Sequence, residues 1–194
     1  MSKSDPAASK KERNKAIRWI VTVFLSTILV SGIISLASEE IMSVSSMAVA
    51  FIILLVIIMI GILFDIIGVA VTSADEKPFH SMAARKVPGA LESIRLLRNA
   101  EKVGSICNDV VGDICGVVSG SASATIAAQV LQNFEFSWPR LASLLMSALV
   151  AGLTVGGKAI GKGLAINSCT KIVHLVGLTI HRLQSIPMIF KKKK

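Results

Sequence analysis

Four stretches of this chain are long and apolar enough to cross a bilayer: residues 16–37, 47–72, 103–131 and 139–165. A helix needs roughly 20 predominantly apolar residues to span the hydrocarbon layer. No water is available there, so the backbone must satisfy its own polar groups, which favours helices over open sheet. Of the 194 residues, 53% are hydrophobic and mean hydropathy is +0.69, so little chain remains for a soluble domain. The expected fold class is an all-α membrane protein. It has about four transmembrane helices, a cytoplasmic amphipathic belt helix and a C-terminal interfacial helix.

Charge orients the spans. The formal net charge is +9, but the basic residues sit at segment ends. Lys10, Lys11, Arg13, Lys15 and Arg18 precede the first span, and Lys191–Lys194 close the chain. That placement is topology information and anionic-lipid contact, not a nucleic-acid surface. Residues 1–15 read as a disordered, basic cytoplasmic tail. The first span is too long for the apolar core of a secretory signal and reads as uncleaved. Ser38 to Ser46, with Glu39 and Glu40 and no basic residue, reads as an outside loop. The segment after the second span carries Lys77, Arg85, Lys86, Arg95, Arg98 and Lys102 and reads as inside. Both termini are therefore expected in the cytoplasm, in a plasma or bacterial inner membrane. Arg140 is the one outside-edge exception, and a snorkelling side chain accommodates it.

The inside segment, 76–101, is expected to be structured. Leu91, Ile94, Leu96 and Leu97 recur at helical spacing among Glu92, Arg95 and Arg98. Such a helix suits the inner membrane surface, and Pro78 and Pro88 divide the belt in two. Phe134, Phe136 and Trp138 suit an interfacial aromatic belt between the third and fourth spans. Residues 166–194 combine Lys171, His174, His181 and Arg182 with Ile172, Leu175, Val176, Leu183 and Ile186. They read as an interfacial helix and polybasic tail, with solvated histidines.

Three acids interrupt the apolar spans: Asp65, Asp109 and Asp113. An ionised carboxylate at the bilayer centre costs roughly 2.5 kcal/mol or more. Each must therefore face a packed interior, a cavity, a cation or a base. At 1.5 Å per residue, Asp65 and Asp109 fall about 10 Å from the inner edge and Asp113 about 15 Å. Asp109 and Asp113 share a helix face, and Asn108, Gly112, Gly116 and Gly120 form an adjacent stripe. Small residues let membrane helices approach closely, so Gly112, Gly116, Gly120, Gly152 and Gly156 are expected at helix contacts. Hard cations prefer carboxylate, carboxamide and carbonyl oxygens. Asp65, Asn108, Asp109 and Asp113 are thus candidate metal ligands, with Lys158 and Lys162 as counter-ions or gate. The competing reading pairs these acids with the two lysines as bundle locks.

Other constellations are weak. Gly156 to Gly163 resembles a phosphate-binding loop but ends in Gly and follows no strand. Cys107, Cys115 and Cys169 form no C-x-x-C pair and read as small apolar residues. His80 stands alone, and no nucleophile–base arrangement points to an enzyme.

Three motifs in order, F-D-I-I-G-V-A-V-T-S (Phe64 to Ser73), G-A-L-E-S-I-R-L-L-R-N-A-E-K-V (Gly89 to Val103) and G-K-A-I-G-K-G-L-A (Gly157 to Ala165), carry a resemblance. Over roughly residues 60–185 the chain resembles the transmembrane domain of the cyclin M / CorB–CorC family, which is linked to magnesium transport. In that family the first motif contains serines, and Asp65 and Ile67 stand in their places. Asn108 or Asp109 lies nearest the family asparagine, Lys158 stands where the family has an acid, and Gly161 where it has proline. Lys162 and Ala165 are retained. The cytoplasmic CBS-pair region typical of the family does not follow, and an extra span precedes the match. The resemblance implies binding or transport of a divalent cation, Mg²⁺ above all; the Gly and small-residue faces point to a homodimer, and a separate regulatory chain is a candidate partner. The alternative is a non-transporting membrane module whose Asp–Lys pairs are structural and whose basic surface binds lipid or a partner protein.

Overall fold

A computed structural model describes residues 6–133 and 138–191. Those residues form eight α-helices and one π-helical segment, with no strand among them. The helices are α1 (Pro6–Val44), α2 (Met47–Ser73), α3 (Lys77–Ala84), α4 (Ala90–Arg98) and α5 (Ala100–Ser105). The π segment (Ile106–Gly112) follows, then α6 (Asp113–Asn133), α7 (Pro139–Asn167) and α8 (Cys169–Lys191). Four stretches are long and apolar enough to cross a membrane: Ile17–Met42, Met47–Ser73, Ala100–Asn133 and Pro139–Asn167. The chain is thus compatible with an integral membrane protein built from four spans.

Two expected boundaries move. From Pro6 onward the basic tail is helical and continuous with the first span. Its Ala, Lys, Glu and Arg residues are good helix formers with no breaker before the apolar run. The loop expected over 38–46 shrinks to Ser45 and Ser46. No Gly or Pro interrupts it, Ser38 and Met42 are buried, and Gln129 Nε2 donates to the Met42 carbonyl at 2.9 Å. Tertiary packing therefore extends the helix past Glu39 and Glu40. Phe134 and Phe136 lie outside the described residues, as do residues 1–5 and Lys192–Lys194, while Trp138 is exposed just before α7.

Helix α2 is the hub, packed against α6, α7, the π segment and α8, while α1 leans chiefly on α6. Two apolar clusters divide the bundle along its length. Met42, Ala50, Leu54, Ile58, Ala122, Ile126 and Val150 form one. Ala70, Val71, Phe79, Ile94, Ala165 and Val173 form the other, where α2 and α7 end against α3, α4 and α8. Between them α2 presents Gly61, Asp65 and Gly68.

The end bearing α3, α4 and α8 is tightly fitted. Pro78 lies in the first turn of α3, where its missing N–H costs nothing. Gly89 precedes α4 with φ +83°, and the backbone of Leu178 lies where a side chain would go. Gly177 returns the close approach: a side chain there would meet Ser93 and the Gly89 carbonyl. Ser93 is fully buried and donates to the Gly89 carbonyl at 2.9 Å and the Val173 carbonyl at 3.2 Å. Glu76 accepts from Arg98 Nε at 3.1 Å and lies 3.5 Å from His80 Nε2, joining α4 to the start of α3.

His181 Nδ1 meets Glu92 Oε1 at 3.1 Å between α8 and α4. Burial of Glu92 works to raise its pKa, but the His181 hydrogen bond, its own backbone N–H and the nearby charges of His181 and Arg95 outweigh it. The carboxyl therefore lies below the ordinary glutamate value. Of the two α8 histidines, His181 pairs with Glu92 while its side chain stays 44% exposed, and His174 Nε2 is buried without a hydrogen-bond partner.

Candidate intramembrane site

The site begins with periodicity. Leu54, Ile58, Gly61, Asp65 and Gly68 recur at alternating four- and three-residue steps and are all buried, which makes them one face of α2. That face packs on the π segment and the start of α6. Gly61 lies against Cys115 Cβ, and Gly68 lies so close to the Asn108 carboxamide that no side chain fits between them. Asp65 falls between those two contacts on the same face. It is only 4% exposed.

Seven consecutive residues opposite Asp65 adopt the π form, from Ile106 to Gly112. Such segments are rare and frequently occur at functional sites, because the wider turn redirects side chains and loosens the carbonyl ladder. Here Asn108 turns onto Gly68 of α2, while Lys158 Nζ of α7 donates at 3.4 Å to the Gly112 carbonyl. Gly112 has no side chain to block that approach, and the ammonium sits 3.2 Å from where a Cβ would stand. Gly157 and Gly161 hold α7 to α2, since Ile62 and Ile66 fill the space a side chain would need.

Two oxygens at this junction have no hydrogen-bond partner: Asp65 Oδ2 and Asn108 Oδ1, both buried. A buried polar atom left unpaired costs about 1–3 kcal/mol, and more when it is charged. Carboxylate, carboxamide and backbone carbonyl oxygens are donor types that suit a hard cation.

The other expected ligands lie elsewhere. Asp109 is exposed and lines an open groove of about 340 Å³ between α1 and the π segment, with Trp19, Val23, Phe24 and Ile106 among its walls. Asp113 is also exposed. Among the described residues no group of three His, Cys, Asp or Glu side chains is placed to hold a metal. No ion pair links Asp65, Asp109 or Asp113 to Lys158 or Lys162 among those residues. Lys162 is exposed. Ser119, Ser121 and Ser123 donate to the carbonyls of Gly116, Val118 and Gly120 of their own helix, at 2.8–3.0 Å.

The expected packing glycines divide similarly. Gly112 takes part in the site, but a Cβ at Gly116, Gly120, Gly152 or Gly156 would meet nothing within 4 Å. The close approaches use Gly61, Gly68, Gly104, Gly157 and Gly161 instead. The alignment of Gly68 with Asn108 was not legible from spacing, because it depends on the π turn. The +4, +3 recurrence of small and polar positions on α2 was the available signal.

No family model, curated protein or solved structure matches the chain.

Proposed function

We propose that this integral membrane protein binds a cation between α2 and the π segment and passes it along that interface. Asp65 supplies the charge, and Asn108 Oδ1 and the Gly112 carbonyl supply neutral oxygens. The observation that carries the reading is the pair of buried, unpartnered oxygens on facing helices, Asp65 Oδ2 and Asn108 Oδ1. A protein keeps such a costly pair where a ligand satisfies it. Mg²⁺ is the proposed cargo, because of its taste for oxygen donors and the resemblance of the three motifs to magnesium-transporter transmembrane domains.

Lys158 acts here as a tethered competitor. Its ammonium already occupies the Gly112 carbonyl and repels a metal ion nearby. Withdrawal of Lys158 frees that oxygen and removes the repulsion, so entry of the cation and departure of the lysine are coupled. Asp109 and Asp113, on another face, are not assigned to this site.

A second reading has one specific observation in its favour. The Lys158–Gly112 contact fastens α7 to the π segment without any cation, as a structural lock would. In that reading the chain transports nothing, and its basic end binds anionic lipid or a partner. Lys158→Met separates the two. The cation reading expects tighter Mg²⁺ binding to purified protein, measured by calorimetry. The lock reading expects no Mg²⁺ binding in either protein and a lower melting temperature in the variant.

A further inference from the structure

We infer that the groove between α1 and the π segment binds a lipophilic organic cation, with its charge on Asp109 and its apolar body against Trp19 and Phe24. The inference is independent of the proposed metal site. Asn108 turns onto α2, whereas its neighbour Asp109 lines the groove facing α1. Trp19, Val23 and Thr27 lie at four-residue steps, on one face of α1. Ser105 and Asp109 repeat that step on the opposite wall.

Two contacts fix the register of these walls. Lys102 Nζ stands 6.0 Å from the centre of the Trp19 ring, and Gln129 bonds the Met42 carbonyl. Helix α1 therefore runs parallel to the chain from α5 through α6. Asp109 falls near the level of Val23 to Thr27, with Trp19 one to two turns away. Helix α1 leans on α6 and stands off from the π segment, and the wedge between them holds about 340 Å³. Small-ligand pockets span roughly 300–1,000 Å³. Along α1 the groove runs from Trp19 to Thr27, about 12 Å. That length suits a compact molecule and is too short for a further spanning helix.

Charge identifies the occupant. Asp109 lies inside a candidate span and has no ion-pair partner among the described residues. A carboxylate at that position calls for a counter-charge, and the Lys102 ammonium is engaged at the Trp19 end. The walls decide which cation fits. A hard metal ion gives up its water only for about six or more oxygens. Besides Asp109, only the Ser105 and Thr27 hydroxyls bring side-chain oxygen to the groove, and the rest of its lining side chains are apolar. A lipid acyl chain would leave the carboxylate against hydrocarbon, and a phosphate would be repelled by it. An organic cation meets both demands. Its charge neutralises Asp109, and its apolar groups cover Phe24 and Ile106. The ring faces of Trp19 and Phe24 attract it further.

The test is equilibrium dialysis of the purified full chain in detergent, against empty micelles, with radiolabelled tetraphenylphosphonium as the probe. Tetraphenylborate, matched in shape and opposite in charge, is the control. The expected result is saturable binding of the phosphonium and none of the borate. Asp109→Asn should weaken binding by at least about tenfold. Asp109 holds no partner in the chain, so helix content should be unchanged, and Asp109→Glu should keep the binding. Val23→Trp, which fills the groove, should abolish it. Asp113→Asn, an exposed acid outside the groove, and Asp65→Asn should both bind as the natural chain does. Absence of saturable binding to the folded natural chain would overturn the inference. So would borate binding as tightly as phosphonium, binding indifferent to Asp109→Asn, or an equal loss in Asp113→Asn or Asp65→Asn.

Discussion

At the residue scale, the buried polar atoms that lack a partner set the chemistry of the junction. Asp65 is 4% exposed with an unpaired oxygen, so Asp65→Asn removes a desolvated charge at little steric cost. The expected outcome is an unchanged or higher melting temperature together with loss of cation binding, a combination a purely structural Asp would not produce. Gly68→Ala should do the reverse. Its methyl would collide with the Asn108 carboxamide, and overpacking of this kind costs about 1–3 kcal/mol. A lowered thermal midpoint with normal Gly116→Ala behaviour would confirm that the close approach lies at Gly68. The importance of Asp65 was readable from sequence alone, because a carboxylate in an apolar run has few fates. The partition of the acids was not. Asp109 and Asp113 shared the same sequence signal as Asp65, and only the packing of α1 and the π turn assigns them to a different face.

At the element scale, helices α2 and α7 and the two short helices α3 and α4 follow from apolar run length, charge spacing and the positions of Pro78 and Pro88. The π segment does not, since no residue pattern in I-C-N-D-V-V-G distinguishes a widened turn from an ordinary one. The extent of α1 was likewise hidden, because its far end is held by Met42 packing and by Gln129, residues far apart in sequence. The α4–α8 junction carries a pH prediction. Glu92 has a folded pKa below its ordinary value, so its contribution is present above the unfolded carboxyl value. It is lost as pH falls through that lowered folded value. Amide protection in α8, corrected for the intrinsic exchange rate at each pH, should therefore fall on acidification through that value, and Glu92→Gln should flatten the dependence. Gly89→Ala should loosen the same junction at every pH, because both its φ of +83° and the Leu178 backbone oppose a side chain.

At the scale of the whole molecule, the bundle consists of two apolar clusters with a polar junction between them. The junction is where α2, α7 and the π segment meet, and it is lined by glycines that bring backbones within reach of one another. Burial in lipid gives little net drive for helix association, so packing and polar contacts decide the arrangement. A polar junction that is incompletely paired is then the place to expect a ligand. The most direct measurement is calorimetric titration of Mg²⁺ into the purified full chain in lipid nanodiscs, beside Asp65→Asn. Saturable binding that disappears in a folded Asp65→Asn protein is the predicted result. Absence of binding to the folded natural chain, or binding indifferent to Asp65, would contradict the account.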